Sequence, residues 1–141
     1  MMAKVRITTP DQRPWQQSGE RAASDLSNVV MPHGGPASAY KIREPGSDTD
    51  PQLVELRFHP GEVVELHCHD EAEIMYILSG AMVLGNRMVG PGACVYVDGG
   101  VFYSFTAGSE GVHFLNFRSH VDNSFHLPGK RQIIDTAVSQ A

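Results

Sequence analysis

The feature that most restricts the fold is a series of short apolar runs between Leu53 and Phe117, each separated from the next by turn residues. Each run is long enough for a β-strand and too short for an ordinary helix. The turns that separate the runs include His59-Pro60-Gly61, Gly85-Asn86, Gly90-Pro91-Gly92 and Asp98-Gly99-Gly100. Closely spaced strands and turns are typical of all-β barrels and sandwiches, and a closed jelly roll covers the edges of its strands. The sequence therefore predicts an all-β jelly-roll barrel.

The rest of the chain sets the limits of this barrel. With 141 residues the chain has the size of one domain with a genuine core. We expect an N-terminal arm over residues 1–35, the β-barrel over residues 36–118, and a C-terminal tail over residues 119–141 that could contain a short helix.

Charge and hydropathy exclude several classes of partner. The formal net charge is −5 and no basic cluster is present, which argues against nucleic acid and against an anionic membrane. No apolar run approaches a transmembrane span, and residues 1–5 lack the apolar core of a signal peptide. The two cysteines, Cys68 and Cys94, cannot form a disulfide framework. We therefore expect a cytoplasmic protein.

A histidine pair suggests metal chemistry. Val63 to His69 is predicted to be a strand, and residues two apart on a strand share a face, so His67 and His69 point together while Cys68 points away. Glu73 opens the next apolar run and meets the two imidazoles if that run folds back as a hairpin partner. Two nitrogens and one carboxylate form the ligand set of a divalent metal. The alternative is a chance pair of strand histidines, although packing does not favour two inward imidazoles without a partner.

These residues also carry a resemblance to a known family. The spacing resembles the first cupin motif, whose positions are filled by Gly61, His67, His69, Glu73 and Gly80. A degraded form of the second motif follows at residues 92–103. The sequence is thus similar to the small single-domain cupins of the RmlC-like superfamily, over residues 53–117.

The resemblance implies a fold, a ligand set and an assembly. The implied fold is the double-stranded β-helix, and the implied ligands are His67, His69 and Glu73. The implied cofactor is a divalent metal, Fe(II) first, with zinc, manganese and nickel also suited to His and Glu. Small cupins often pair through their arms, so we also expect a homodimer.

The chain departs from the cupin pattern at two positions. Asp98 stands where the second motif usually has proline, and Tyr103 stands where it usually has the third metal-binding histidine. Tyr103 could hydrogen-bond a water, substrate or dioxygen, could ligate the metal as tyrosinate, or could only fill space. His113 could replace the missing ligand or could be an outward-facing strand residue. His126, in the tail, is expected at the surface or in a subunit contact.

The function implied by the resemblance is that of a metal-dependent enzyme acting on a small organic molecule. Dioxygenase-like oxidation of a ketone, diketone or phenol is the first expectation, with Tyr103 as the catalytic residue that orients the substrate or the oxygen. The alternatives are a non-catalytic cupin that binds a metal or small molecule as a sensor, and an isomerase or lyase in which Tyr103 is the acid. The fold alone does not choose among them.

Overall fold

The computed structural model of the protein describes residues 4–17 and 38–129. These residues form eight strands and one short 3₁₀ helix, Pro10–Gln12. The strands are β1 (Gln16–Gln17), β2 (Ala39–Glu44), β3 (Gln52–Phe58), β4 (Val63–His67), β5 (Glu73–Leu84), β6 (Arg87–Val89), β7 (Cys94–Val97) and β8 (Tyr103–Arg118). The predicted all-β jelly-roll barrel is confirmed. Within the described residues, no helix is long and apolar enough to cross a membrane.

Two long strands, β5 and β8, join the sheet together. The strand order is β1-β2-β3-β8-β5-β6, with β4 paired to β8 and β7 paired to β5. All of these pairs are antiparallel. The second half of β8 lies between β3 and β5, and its first half pairs with β4. The long curved strands therefore bring β4 and the start of β5 to the same interior.

The hairpin predicted between the two ligand-bearing strands is wrong. β4 pairs with β8 through Val63↔Thr106, Val64↔Phe105 and His67↔Tyr103, and β5 pairs with β8 and β7 instead. The 12 residues of β5 pair with β8 along one edge and with β7 and β6 along the other, so neither edge of β5 is left for β4. Glu73 still reaches the histidines, because both strands contribute to the same end of the interior.

Alternation along the strands builds the core. In β3 the residues at alternate positions, Val54, Leu56 and Phe58, are buried while those between them are more exposed. The same inward faces on the other strands supply the remaining core residues, which include Tyr40, Ile42, Val64, Met75, Ile77, Met82, Phe105 and Phe114. Burial of this apolar surface is the main source of stability for the barrel.

The outer face of β2 and β3 is covered by the described part of the N-terminal segment. The ring of Trp15 lies under the guanidinium of Arg57, 4.0 Å from its carbon, and 5.1 Å from the Lys41 ammonium. Cation–π contacts of this kind hold an aromatic ring on a charged sheet surface. Part of the predicted arm, residues 18–35, lies outside the described residues, as does the tail beyond residue 129. Residues 119–129 contain no helix.

Candidate metal and small-molecule site

The two histidines lie together at the end of β4. Val64 and His67 are both buried although they are three residues apart, because the pairing of β4 with β8 slips between them. Such an irregularity turns His67 inward, where an unbroken strand would turn it outward. His69 follows just beyond the strand, and the centroids of the two imidazole rings are 4.8 Å apart. The prediction that His67 and His69 share one site is therefore consistent with the geometry.

Backbone carbonyls fix the orientation of both imidazoles. The Nδ1 atom of His67 lies 2.6 Å from the Glu65 carbonyl oxygen, and that of His69 lies 2.6 Å from the Ser124 carbonyl oxygen. A carbonyl only accepts, so each Nδ1 carries the proton and each Nε2 of the neutral ring carries a lone pair. Both Nε2 atoms are buried, and neither has a hydrogen-bond partner among the described residues. Two unpaired imidazole nitrogens in one interior are the main chemical feature of this site.

Glu73 is the third member of the site, and it is buried with 2% of its surface exposed. Its Oε1 accepts hydrogen bonds from Asn116 Nδ2 at 2.6 Å and from the Arg118 guanidinium at 3.1 Å. Its Oε2 accepts a short hydrogen bond from the Tyr103 hydroxyl. The same Oε2 lies 3.6 Å from His69 Nε2. A carboxylate oxygen accepts about two hydrogen bonds, so Oε2 keeps one acceptor position and Oε1 keeps none.

The ionisation of these groups follows from burial and from Arg118. Burial lowers the pKa of His67 and His69, with Arg118 contributing to both, so the imidazoles are neutral at pH 7. Burial alone would raise the pKa of Glu73, but the charge of Arg118 and the hydrogen bonds that the carboxylate accepts hold it below its usual value. The site therefore presents two neutral nitrogen donors and one ionised carboxylate.

Tyr103 faces the site as a neutral phenol. Burial, together with the adjacent charge of Glu73, raises the pKa of Tyr103 well above its usual value. The hydroxyl therefore keeps its proton and donates a hydrogen bond to the carboxylate. Its ring centroid lies 4.4 Å from that of His67. The hydroxyl thus donates to Glu73, a partner that none of the three roles left open for Tyr103 included.

These side chains open into a small cavity of about 50 Å³. One part of its wall is polar and contains His67, His69 and Glu73. The rest is mainly apolar and includes Val54, Leu56, Val64, Met75, Phe105 and Phe114. A few polar groups converging on an apolar cavity are typical of a small-molecule site.

Sequence patterns did not point to the segment that closes this cavity, residues 119–126. Asp122, Asn123, Ser124 and Phe125 all line the cavity, and the Phe125 ring stacks on His67 at 4.6 Å with an angle of 14° between the planes. His126 pairs with Cys68 through two backbone hydrogen bonds. The expectation that His126 lies at the surface is wrong, because the residue is only 6% exposed and its Nε2 lies 2.9 Å from Asp70 Oδ1.

The strand histidine proposed as a replacement ligand lies elsewhere. His113 sits on the outer face of β8, where its Nε2 contacts Glu55 Oε2 at 2.6 Å and its ring lies 5.9 Å from that of Trp15. Asn116 and Arg118, which follow on the same strand, point inward instead. They are the residues of the site that the sequence analysis missed, although polar side chains at alternate positions beside the buried Phe114 were a possible signal.

The donor set can be compared with the needs of a metal ion. Among residues 4–17 and 38–129, no group of three or more His, Cys, Asp or Glu side chains is drawn together closely enough to hold a metal as it stands. Two ligands at about 2.0–2.2 Å from one ion lie roughly 3.0–3.5 Å apart, close to the 3.6 Å between His69 Nε2 and Glu73 Oε2. The two unpaired Nε2 atoms and the open position on Oε2 are therefore donors of the types that a divalent ion takes, and the His69–Glu73 pair already has nearly the spacing required.

No model of a protein family matches this sequence, and no curated protein matches it. Solved structures do match by fold. A cupin-2 domain protein from Rhodospirillum rubrum is 17% identical with a TM-score of 0.61, and the match covers 98% of this chain and 90% of that chain. The polyketide cyclase RemF from Streptomyces resistomycificus is 19% identical with a TM-score of 0.63, covering 91% and 86% of the two chains. A candidate acetylacetone dioxygenase from Methylibium petroleiphilum is 11% identical with a TM-score of 0.63, covering 86% and 79%.

At these identities the likeness is one of fold. It agrees with the motif spacing at Gly61, His67, His69, Glu73 and Gly80 and with the antiparallel barrel around them. The chain therefore has the fold of these cupin structures.

Proposed function

We propose that this protein is a metal-dependent cupin that binds a small organic anion in its interior cavity and oxidises it with dioxygen. The observation that carries the proposal is the pair of buried imidazole Nε2 atoms with no hydrogen-bond partner among the described residues. Leaving two such acceptors unpaired in a buried site costs free energy. A divalent cation held by His67, His69 and the open position of Glu73 Oε2 would offset that cost.

The charge of the cavity supports an anionic ligand. The ionised side chains in its wall are Glu73, Arg118 and Asp122, so a bound divalent ion changes their net charge from −1 to +1. A charge in an enclosed apolar site favours a ligand of opposite charge. A small carboxylate, phenolate or enolate would neutralise it, and its apolar part would contact Val64 and Phe105.

The chain's own residues have defined tasks in this scheme. When bound, the metal would supply a Lewis acid and, as iron, a centre for dioxygen chemistry. Tyr103 holds its proton at the hydroxyl oxygen and directs it at Glu73 Oε2, which fixes one oxygen of the carboxylate. Arg118 and Asn116 fix the other oxygen. The apolar wall limits water around the ligand, which strengthens each of these electrostatic contacts.

Support for oxidation comes from the chemistry of the site and from one neighbour. A two-histidine, one-carboxylate set with open positions suits non-haem Fe(II) chemistry. The structurally similar candidate dioxygenase from Methylibium petroleiphilum acts on acetylacetone according to its name, and acetylacetone is a small molecule that forms an enolate. The neighbour RemF is a polyketide cyclase, so a reaction without oxygen, as in an isomerase or lyase, is the alternative chemistry.

A non-catalytic cupin that senses a metal or small molecule is a second candidate function. The observation that favours it is the engagement of Glu73, since three donors already occupy its two oxygens. The cavity of about 50 Å³ is also small, which limits the size of the ligand.

The first test is the metal content of the protein purified without chelator. We expect one equivalent of iron, zinc, manganese or nickel, retained in His113→Ala and lost in His67→Ala and Glu73→Ala. His113 is the matched control because it lies on the outer face and contacts Glu55. A wild-type protein that takes up none of the four metals, or a site that survives His67→Ala, contradicts the proposal.

The second test separates the candidate functions. Oxygen consumption by the iron-loaded protein is measured with diketones, phenols and thiols as substrates. Consumption that disappears in His67→Ala supports the oxidation. Tight ligand binding without turnover favours the sensor, and a rearranged product formed without oxygen favours the isomerase or lyase.

A further inference from the structure

The segment that closes the cavity, residues 119–126, is attached to the histidine loop (residues 68–72, between β4 and β5) by a dense set of polar contacts. Ser124 accepts two of them, from His69 Nδ1 at its carbonyl oxygen (2.6 Å) and from the Asp70 N–H at its Oγ (2.7 Å). The Ser124 carbonyl is thus the group that determines which nitrogen of His69 carries the proton. Whatever fixes the position of Ser124 also fixes the direction of the His69 lone pair.

Asp122 is the residue that fixes Ser124. Its Oδ1 accepts the Ser124 N–H at 2.9 Å, and its Oδ2 accepts the Glu71 N–H at 2.8 Å. One carboxylate therefore joins the closing segment to the loop that follows His69. The Asp122 side chain is 6% exposed, and Arg118 lies 4.0 Å from its Oδ2 while donating to its backbone carbonyl at 2.7 Å.

We infer that Asp122 is a positioning residue for the metal and ligand site, acting through Ser124 to hold His69 with its Nε2 lone pair directed into the cavity. Asp122 does not have to touch the metal or the ligand. Its two hydrogen bonds to backbone N–H groups set the Ser124 carbonyl opposite His69 Nδ1. Partners of metal-binding histidines fix ring orientation in this way, and their loss typically lowers metal affinity by about 10–100-fold.

His67 provides a built-in comparison. Its Nδ1 donates to the Glu65 carbonyl, which belongs to its own strand β4 and not to the closing segment. The ring of His67 does stack on Phe125 of the closing segment, but its tautomer is set by Glu65, so loss of the Asp122 contacts should change the tautomer of His69 and not that of His67. A general loosening of the barrel would affect both rings.

The experiment measures histidine tautomers in metal-free protein by two-bond ¹H–¹⁵N correlation spectra at a pH where both rings are neutral. In the wild type we expect the Nδ1–H form for both His67 and His69. In Asp122→Ala we expect His69 to populate the Nε2–H form substantially and His67 to keep the Nδ1–H form. Asp122→Asn keeps one acceptor oxygen and should give an intermediate result, and it is the variant used if the alanine variant does not fold.

Three results overturn the inference. One is a wild-type His69 that carries its proton at Nε2. Another is a folded Asp122 variant in which His69 keeps the wild-type tautomer. The last is an equal change at His67 and His69. Zinc affinity is then measured, with an expected loss of about 10–100-fold in Asp122→Ala. This second measurement rests on the proposed function, whereas the tautomer result does not, so the two can fail separately.

Discussion

Replacing Arg118 by methionine tests how the buried carboxylate is stabilised. The Arg118 side chain is 9% exposed and that of Glu73 is 2% exposed, and the closest atoms of the pair are 3.1 Å apart. Methionine keeps much of the length of arginine and removes the charge. The variant therefore leaves Glu73 ionised in the interior without its cation.

The expected loss of stability is large. Removal of one partner from a buried ion pair costs about 3–5 kcal/mol, because the remaining charge is left uncompensated. Asn116 and Tyr103 continue to donate to Glu73, so the lower end of that range, about 3 kcal/mol, is expected. For a chain of this size that loss lowers the melting temperature by roughly 10 °C.

The stability difference between Arg118→Met and the wild type should depend on pH. In the wild type the pKa of Glu73 lies below its unfolded value, so the stability it contributes is present above about pH 4.3 and is lost as the pH falls further. Without Arg118, burial raises the pKa of Glu73 above the unfolded value. The variant is then destabilised most at pH 7 and recovers as the carboxylate is protonated at lower pH. The difference between Arg118→Met and wild type should therefore shrink from pH 7 towards pH 4.

Urea unfolding at several pH values measures this difference, with Arg87→Met as the control because Arg87 is exposed on strand β6. Glu73→Gln removes the charge with little change of shape, so adding it to Arg118→Met should recover part of the lost stability. A loss below 1 kcal/mol, a loss that does not change with pH, or a double variant less stable than Arg118→Met would refute the reasoning.

Three further predictions concern the site, the barrel and the assembly. Tyr103→Phe should lower the unfolding free energy by about 1.5–3 kcal/mol by removing a hydrogen bond to a charged group, with metal content unchanged; loss of the metal would instead make Tyr103 a ligand. Gly80→Ala should prevent stable folding, because the added Cβ would lie 2.1 Å from a backbone oxygen of β8. Gly85→Ala is the control, since its Cβ would lie in open space and should cost only about 1 kcal/mol of backbone strain. Similar melting temperatures for the two variants would contradict this. The homodimer stays a prediction. If its contact uses the exposed outer residues Tyr76 and Phe117, the Tyr76→Lys variant should sediment as a monomer. An unchanged sedimentation coefficient would place the contact elsewhere.

The proximity of His67, His69 and Glu73 could be predicted because the three residues lie close together in the sequence. His67 and His69 are two residues apart and Glu73 follows after one short loop, so little long-range information is needed to bring them together. Their proximity does not arise from the predicted hairpin, however. The slip in pairing after Val64 directs His67 inward, and β8, not a hairpin, brings Glu73 alongside.

Arg118 and Asn116 could not be placed because their position depends on long-range register. Met75 pairs with Asn116 and Ile74 with Phe117, and nothing in the two segments alone specifies that pairing over one shifted by a residue. A shift of one residue would turn both polar side chains to the outer face. The segment 119–126 was missed for a related reason, because it contacts the histidine loop mainly through backbone groups and small polar side chains, which leave no periodic pattern in the sequence.

Arg118 has two opposite effects on Glu73 as a metal ligand. A guanidinium close to a carboxylate weakens the attraction of that carboxylate for a second cation, yet without it burial would raise the pKa of Glu73 and favour the protonated form, which cannot act as a ligand. The structure separates the two effects by oxygen, since Arg118 and Asn116 occupy Oε1 while Oε2 is turned towards His69. Arg118 therefore keeps the carboxylate ionised from the side opposite to the proposed metal. Metal affinity in Arg118→Met should accordingly depend on pH much more steeply than in the wild type, because its Glu73 must lose a proton before it can act as a ligand.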